Sequence, residues 1–241
     1  MSAIRPALRA GLVLLLTAAP AAAQGTNALA TSYDGTNTFA GTLSQEFTVG
    51  AAPVRITRFG AFDASTPGGQ GVRDGFAGTI TVQLFQLLQR GAVPSQDVVA
   101  AYGSALTFSG TQGTLDGAFR YQALAAPLEL PAGFVGRIGA WGFVGADRYF
   151  NAFDVSQSGF ARMTTDGGGL LDFGSVYYAE APGGVPTLRS GDGSPGWYGA
   201  ASFTFEAGRA AVVTPEPGTW ALLGTGLVAI AGIAARRRRA G

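Results

Sequence analysis

The sequence predicts an all-β protein built as an antiparallel β-sandwich of jelly-roll type. Three observations lead to this prediction: apolar and polar residues alternate with a period of two, glycine-rich breaks separate the alternating segments, and helical periodicity is scarce. The chain has 241 residues, of which 38 are glycine and 12 are proline. A solenoid is the alternative for a glycine-rich chain, but no repeat of fixed period is present.

The alternation is clearest in Thr79–Leu84, where isoleucine, valine and leucine share one face of the predicted strand and polar residues occupy the other. Phe119–Ala123 and Phe203–Glu206 repeat it. Apolar runs predict further strands near Leu43–Val49, Val54–Phe62, Val98–Phe108, Phe134–Phe143 and Gly174–Ala179.

Glycine-dense segments separate the predicted strands, at 66–71, 166–169 and 190–196. The last contains Gly-x-Gly-x-x-Gly over 191–196, the spacing of a dinucleotide-binding loop. Such a loop must open a helix, whereas Pro195 and the absence of helical periodicity after it favour a surface loop.

The composition excludes several kinds of catalysis. The sequence contains no cysteine and no histidine, and all 16 of its basic residues are arginine. Catalytic triads need an imidazole, Schiff-base chemistry needs a lysine, and zinc sites are normally built from His and Cys. The sequence therefore favours a protein that is not an enzyme and carries neither a cofactor nor a metal centre.

The N-terminus predicts export. Arg5 and Arg9 precede an apolar stretch, Leu12–Ala19, and Ala21–Ala23 supplies a small-residue cleavage site. We expect residues 1–23 to be a signal peptide and residues 24–212 to form the β-sandwich domain.

The C-terminus predicts a membrane anchor. Thr219–Ala235 contains no charged residue and would reach about 26 Å as a helix, just short of a bilayer core of about 30 Å. Arg236–Arg239 follows it, which predicts a cytoplasmic C-terminus by the positive-inside rule. The alternative is a buried helix with a basic end, but such a helix would show a polar face.

The motif before this span carries a resemblance. Pro215, Glu216 and Pro217, the apolar stretch and the terminal arginines together resemble the PEP-CTERM sorting signal, here 213–241. The resemblance implies that exosortase, a membrane-embedded processing enzyme, recognises residues 215–217 and releases the body. It also implies transient anchoring by a transmembrane helix at 219–235, a basic tail at 236–239, and final delivery to the cell surface or the extracellular polysaccharide matrix.

The body itself resembles the uncharacterised β-sandwich domains that often precede this signal. Phe59–Asp63 and Trp197–Gly199 carry this second resemblance. Without the two terminal signals the body has ten basic and fourteen acidic residues, so its net charge is near −4. Binding to nucleic acid would call for a stripe of basic residues, and nothing in the sequence suggests one.

Two groups of residues in the body are candidates for a ligand site. Tryptophans and tyrosines could stack against sugar rings, and Trp197 and Tyr198 are the candidates beside a glycine-rich loop; the full set is Trp141, Tyr149, Tyr177, Tyr178, Trp197 and Tyr198. Loop aspartates could instead bind Ca²⁺, although turn capping is the better explanation; they are Asp63, Asp74, Asp147, Asp154, Asp166, Asp172 and Asp192.

These features favour a non-enzymatic exported protein of the extracellular polysaccharide matrix, with carbohydrate as its candidate ligand. Exosortase and the exopolysaccharide are the expected partners. The alternative is a glycoside hydrolase or lyase that uses two carboxyl groups about 5 to 10 Å apart, since that chemistry needs no histidine.

Overall fold

The computed structural model describes residues 25–31, 35, 37–64, 73–151, 163–190 and 198–208. The predicted signal peptide, Trp197 and the whole sorting signal lie outside these ranges. Within them, no helix has the length and apolarity needed to cross a membrane.

The described chain consists of β-strands and one short 3₁₀ helix, Pro94–Gln96. The strands, in chain order, are β1 Thr26–Asn27, β2 Leu29–Thr31, β3 Thr42–Val49, β4 Val54–Phe62, β5 Phe76–Gln89, β6 Val98–Gly110, β7 Thr114–Asp116, β8 Phe119–Leu130, β9 Val135–Trp141, β10 Phe150–Asn151, β11 Met163–Thr165, β12 Leu171–Ala179, β13 Leu188–Arg189, β14 Tyr198–Gly199 and β15 Ala201–Ala207.

Two antiparallel sheets form the sandwich. One has the order β13-β12-β3-β9-β5-β6 and the other β1-β15-β4-β8-β7, and β10 with β14 and β11 with β2 make two small pairs. The blocks β1-β15-β4-β8 and β3-β9-β5-β6 give eight strands in a double Greek key. Successive strands of the eight alternate between the two sheets, except that β5 and β6 form a hairpin within one sheet. Strands β12 and β13 extend the block β3-β9-β5-β6 beyond β3. The predicted jelly-roll-like sandwich is confirmed.

The core between the sheets is aromatic. Phe47 packs on Phe203 with ring centroids 4.9 Å apart, and Phe62 packs edge to face on Phe119 at 5.5 Å. All four rings are fully buried. Because the described residues include no disulfide, this close packing and the strand ladders hold the two sheets together.

The predicted strands are confirmed, but some polar positions on them are buried. The alternation places Gln83 on the polar face of β5, yet it is only 6 % exposed. Its amide nitrogen lies 3.1 Å from Tyr102 O and 3.2 Å from Gly103 O, where a β-bulge interrupts the pairing of β5 with β6. The side chain therefore satisfies carbonyl groups that the bulge leaves outside the regular ladder.

The two ends of the sandwich differ in what they hold. At one end β15 finishes and Gly208 N donates to Pro53 O at 2.8 Å. Strands β3 and β8 finish at the same end, and β4, β9 and β12 begin there. This is the Gly208 end. Since β15 has seven residues, the opposite end lies about 20 Å away.

Candidate functional site

A pocket of about 260 Å³ opens to solvent at the end opposite Gly208, the pocket end. It is shaped by aromatic side chains together with one leucine, one serine and one arginine. Its lining residues are Phe39, Leu43, Tyr149, Tyr178, Arg189, Ser190 and Tyr198. Of these described residues none carries a carboxylate.

Strand pairing brings these residues together from distant parts of the chain. Leu43 on β3 lies opposite Tyr178 on β12, so both side chains are on the same face of the sheet. Tyr198 on β14 pairs with Asn151 on β10, two residues after Tyr149. Tyr149 is fixed in turn because its backbone exchanges hydrogen bonds with Asn37, at 2.9 and 3.3 Å.

The aromatic rings contact one another in edge-to-face pairs. Phe39 and Tyr178 have centroids 6.0 Å apart at an interplanar angle of 81°, and Tyr149 and Tyr198 are 5.9 Å apart at 83°. Such pairs are favourable and fix the ring orientations. The walls of the pocket are therefore formed by rings that pack against one another.

Polar groups sit at the edges of these walls. Tyr198 is buried, and this burial raises the pKa of its hydroxyl, an effect that a hydrogen bond with Ser190 opposes and the nearby Tyr178 reinforces. Ser190 N donates to Val176 O at 3.2 Å, which holds the residue against β12. Arg189 is exposed, and its Nη2 donates to Ser175 Oγ at 2.7 Å. The pocket thus combines apolar ring surface with a few fixed donors and acceptors.

Half of the predicted aromatic set meets at this pocket. Tyr149, Tyr178 and Tyr198 line it, although Tyr198 is only 7 % exposed and forms part of the wall instead of an exposed stacking surface. Tyr177 and Trp141 lie elsewhere: Tyr177 packs over an arginine, and Trp141 is half-buried beside Gly183. Trp197 lies outside the described residues.

The sequence prediction missed the other lining residues. Phe39 and Leu43 resembled ordinary core residues, and Arg189 and Ser190 sit next to the glycine-rich segment 190–196. Their contribution depends on long-range pairing, for example the isolated bridge between Phe39 and Phe143. No local pattern in the sequence indicates that bridge.

Two of the aspartates predicted in loops bind backbone amide groups, and Asp172 lies on strand β12. Asp147 accepts hydrogen bonds from Ala77 N and Gly78 N at 2.9 and 2.7 Å. Asp166 accepts one from Gly168 N at 2.8 Å, in the glycine-rich turn. The Asp166 contact is a turn-capping contact of the kind that the sequence favoured, whereas Asp147 binds the distant start of β5. Asp154 and Asp192 lie outside the described residues.

Asp63 forms a buried ion pair. Its carboxylate lies 2.5 Å from Arg120 Nε, and both side chains are almost inaccessible to solvent. Burial raises the pKa of Asp63, an effect that the hydrogen bond and charge of Arg120 and the charge of Arg73 oppose. Across the parts of the chain that the structure describes, no three His, Cys, Asp or Glu side chains are grouped so that they could hold a metal ion.

A second buried cluster, the Arg137 network, lies on the outer face of the larger sheet. Arg137 is fully buried; its Nε donates to Glu46 Oε2 at 3.0 Å, and Nη2 donates to Asp97. Its guanidinium lies 3.4 Å from the centroid of the Tyr177 ring, and Nη1 donates to Pro186 O at 2.6 Å. Each buried charge in this network therefore has an opposite charge beside it.

Arg90 completes the Arg137 network. It binds Glu46 through both guanidinium nitrogens at 2.8 and 3.1 Å, and its Nη1 donates to Tyr177 Oη at 3.0 Å. The hydrogen bond and charge of Glu46 raise the pKa of Arg90 above its already high usual value. With two arginines and two carboxylates, the network is electrically balanced and ties the β5–β6 loop to the sheet.

The described chain is thus a jelly-roll sandwich with an aromatic pocket at one end and its last described residue, Gly208, at the other. The family model of the PEP-CTERM protein-sorting motif matches residues 213–239, and these include Pro215, Glu216 and Pro217. The chain therefore carries this motif, which implies export across the inner membrane, a C-terminal membrane anchor, processing by exosortase, and then the cell surface. No curated protein and no solved structure matches the chain.

Proposed function

We propose that the released protein is a non-enzymatic component of the extracellular polysaccharide matrix and binds a sugar residue in the aromatic pocket. The observation that carries the proposal is the meeting of Tyr149, Tyr178 and Tyr198 at one solvent-open pocket. Tyrosine rings present large apolar faces to the C–H surface of a sugar and keep a hydroxyl for hydrogen bonding.

The size of the pocket suggests how much of a polysaccharide it accepts. Its volume of about 260 Å³ lies just below the range of about 300 to 1,000 Å³ that is typical for drug-sized ligands. We therefore propose that it accepts one sugar ring, at a chain end or a branch, and not a long stretch of polymer.

The chemistry of the walls favours binding over catalysis. Hydrolysis or elimination at a glycosidic bond needs carboxyl groups at the reacting bond. The described lining residues contain none, whereas the buried carboxylates of Glu46 and Asp97 bind Arg137 on the outer face of the sheet.

The test is calorimetric titration of the full chain, in detergent, with oligosaccharides from the exopolysaccharide of the producing cells. We expect binding that falls about tenfold or more in Tyr178→Ala, because truncation removes a stacking surface and opens the pocket. Tyr102→Ala is the matched control, since Tyr102 is also half-buried but lies outside the pocket and contacts Glu129 O at 3.1 Å.

Two outcomes would contradict the proposal. Absence of binding to any oligosaccharide of the matrix would remove the binding function and leave only a structural role. An equal loss of binding in Tyr178→Ala and Tyr102→Ala, with unchanged thermal unfolding of both, would show that the sugar binds outside the pocket.

A further inference from the structure

We infer that the Gly208 end of the sandwich is a lipid-facing surface, which rests on the bilayer while the chain is anchored and directs the pocket away from the membrane. The inference goes beyond the proposed function because it concerns the opposite end of the molecule. It requires that the body stays close to the membrane and that the surface facing the membrane is compatible with lipid.

The first requirement follows from where the described chain stops. Gly208 is held to Pro53 by a backbone hydrogen bond of 2.8 Å, so the extension leaves from this end of the sandwich. Ten residues separate Gly208 from Thr219, where the predicted span begins, and they reach at most about 35 Å. So short a tether produces a high effective concentration of this end at the bilayer, and even weak attraction is then sufficient.

Three loops at this end meet the second requirement. Residues 50–53, 131–134 and 167–170 contain glycine, alanine, proline, phenylalanine and leucine but no charged residue. Ala51, Ala52 and Ala132 are exposed at their tips. A charge-free surface loses little hydration on approaching the headgroup region.

Exposed aliphatic side chains lie beside these loops. Leu88 is 59 % exposed and Val98 is 47 % exposed, at the end of β5 and the start of β6. These positions lie at the Gly208 end because Gln86, two residues before Leu88, pairs with Gly136 at the start of β9. Removing such apolar area from water is favourable, by about 25 cal/mol per Å².

The charges that border this surface select the kind of lipid. Asp166 and Asp172 flank the third loop, and both are exposed. Glu129 is also exposed, although it pairs with Arg55 at 3.2 Å. The arginines at this end, Arg55 and Arg90, are each paired with carboxylates and leave no excess of positive charge for anionic headgroups. The surface therefore fits a zwitterionic lipid, and its contact should depend little on salt.

The experiment exploits the absence of cysteine from the chain. Ala132→Cys at the Gly208 end and Ala181→Cys at the pocket end are matched exposed alanines, each labelled with one fluorophore. The full anchored chain is made in a host without exosortase and reconstituted in phosphatidylcholine vesicles that contain spin-labelled lipid. We expect quenching at Ala132→Cys to exceed that at Ala181→Cys by roughly threefold or more.

A longer tether separates lipid attraction from simple proximity. About 20 Gly/Ser residues inserted after Gly208 add roughly 25 Å of mean reach. We expect the difference between the two labels to persist with this insertion and to disappear when Leu88→Glu and Ala51→Glu are added. Unchanged thermal unfolding verifies the fold of the double variant, and Leu88→Ser with Ala51→Ser is a milder second pair.

Three results would overturn the inference. They are equal quenching at the two labels with the natural tether, loss of the difference on lengthening the tether, and a difference that survives both glutamates.

Discussion

Two arginines, one towards each end of the sandwich, have opposite surroundings. Arg137, in the half of the larger sheet nearer Gly208, is fully buried and satisfied by two carboxylates, a carbonyl and an aromatic ring. Arg189, at the pocket end, is exposed and donates to one serine hydroxyl. A buried charge must be neutralised locally, whereas an exposed one can remain available to a ligand.

The loops show the same division of roles. Aromatic side chains meet at the pocket end because strand ends and isolated bridges bring them together, whereas three of the loops at the Gly208 end are small and charge-free. The β5–β6 loop at that end does carry charges, but Arg90 and Asp97 are paired within the Arg137 network. The strands between them form one continuous core. Because loops can vary without disturbing the core beneath them, one end can serve a ligand while the other serves the anchor.

The largest expected effect compares a glutamate of the sorting motif with a glutamate of the β-sandwich body. Glu216→Ala should abolish release of the protein from the membrane, since Glu216 lies in the matched sorting motif. Glu180→Ala, the same change at an exposed position of the pocket end, should leave release unchanged. The measurement is the distribution of the protein between membrane and medium in exosortase-containing cells. Normal release of Glu216→Ala would contradict recognition of this residue.

The next prediction compares the two arginines directly. Arg137→Gln should lower the free energy of unfolding by about 3 to 5 kcal/mol, because Glu46 and Asp97 would stay buried without their cation. Arg189→Gln should change it by no more than about 0.5 kcal/mol, as expected for an exposed side chain. Urea unfolding of both variants measures the difference. Similar destabilisation by the two substitutions would contradict the contrast between a buried, paired arginine and an exposed one.

The sequence predicted the strands well because the alternation of apolar and polar residues that marks a strand is a local pattern. The alternation in Thr79–Leu84 alone placed Ile80, Val82 and Leu84 in the core, and all three are fully buried. The sorting motif was also predictable, since its three parts are contiguous and appear in a fixed order. Features of this kind need no knowledge of which strands pair.

The site was only partly predictable because it depends on pairing. Tyr149, Tyr178 and Tyr198 were candidates as tyrosines, but nothing local indicates that Tyr178 lies opposite Leu43. The Arg137 network was hard to predict for the same reason. An arginine in the otherwise apolar Val135–Trp141 signals a buried partner, but its partners come from β3 and the β5–β6 loop.

The smallest expected effect concerns two tyrosines in the pocket half of the body. Tyr121 is buried, and its hydroxyl lies 3.0 Å from Ser202 Oγ and 3.2 Å from Leu29 O. Burial raises its pKa above the usual value of about 10, despite the opposing hydrogen bond with Ser202, and burial also raises the pKa of Tyr198. Above pH 10 the unfolded chain therefore loses protons that the folded chain keeps.

Stability should consequently fall as the pH rises through the unfolded-state pKa. For Tyr121 the slope approaches about 1.4 kcal/mol per pH unit, and below pH 10 the contribution is fully present. Tyr121→Phe should remove the contribution of Tyr121 to the loss of unfolding free energy at alkaline pH. Urea unfolding at about pH 8 and pH 11 measures this difference. Tyr198→Phe should remove a smaller share, because its pocket is open to solvent. A larger reduction of the alkaline loss of stability in Tyr198→Phe than in Tyr121→Phe would mean that the pocket is closed to water. That result would contradict the contrast between an accessible pocket end and a sealed core.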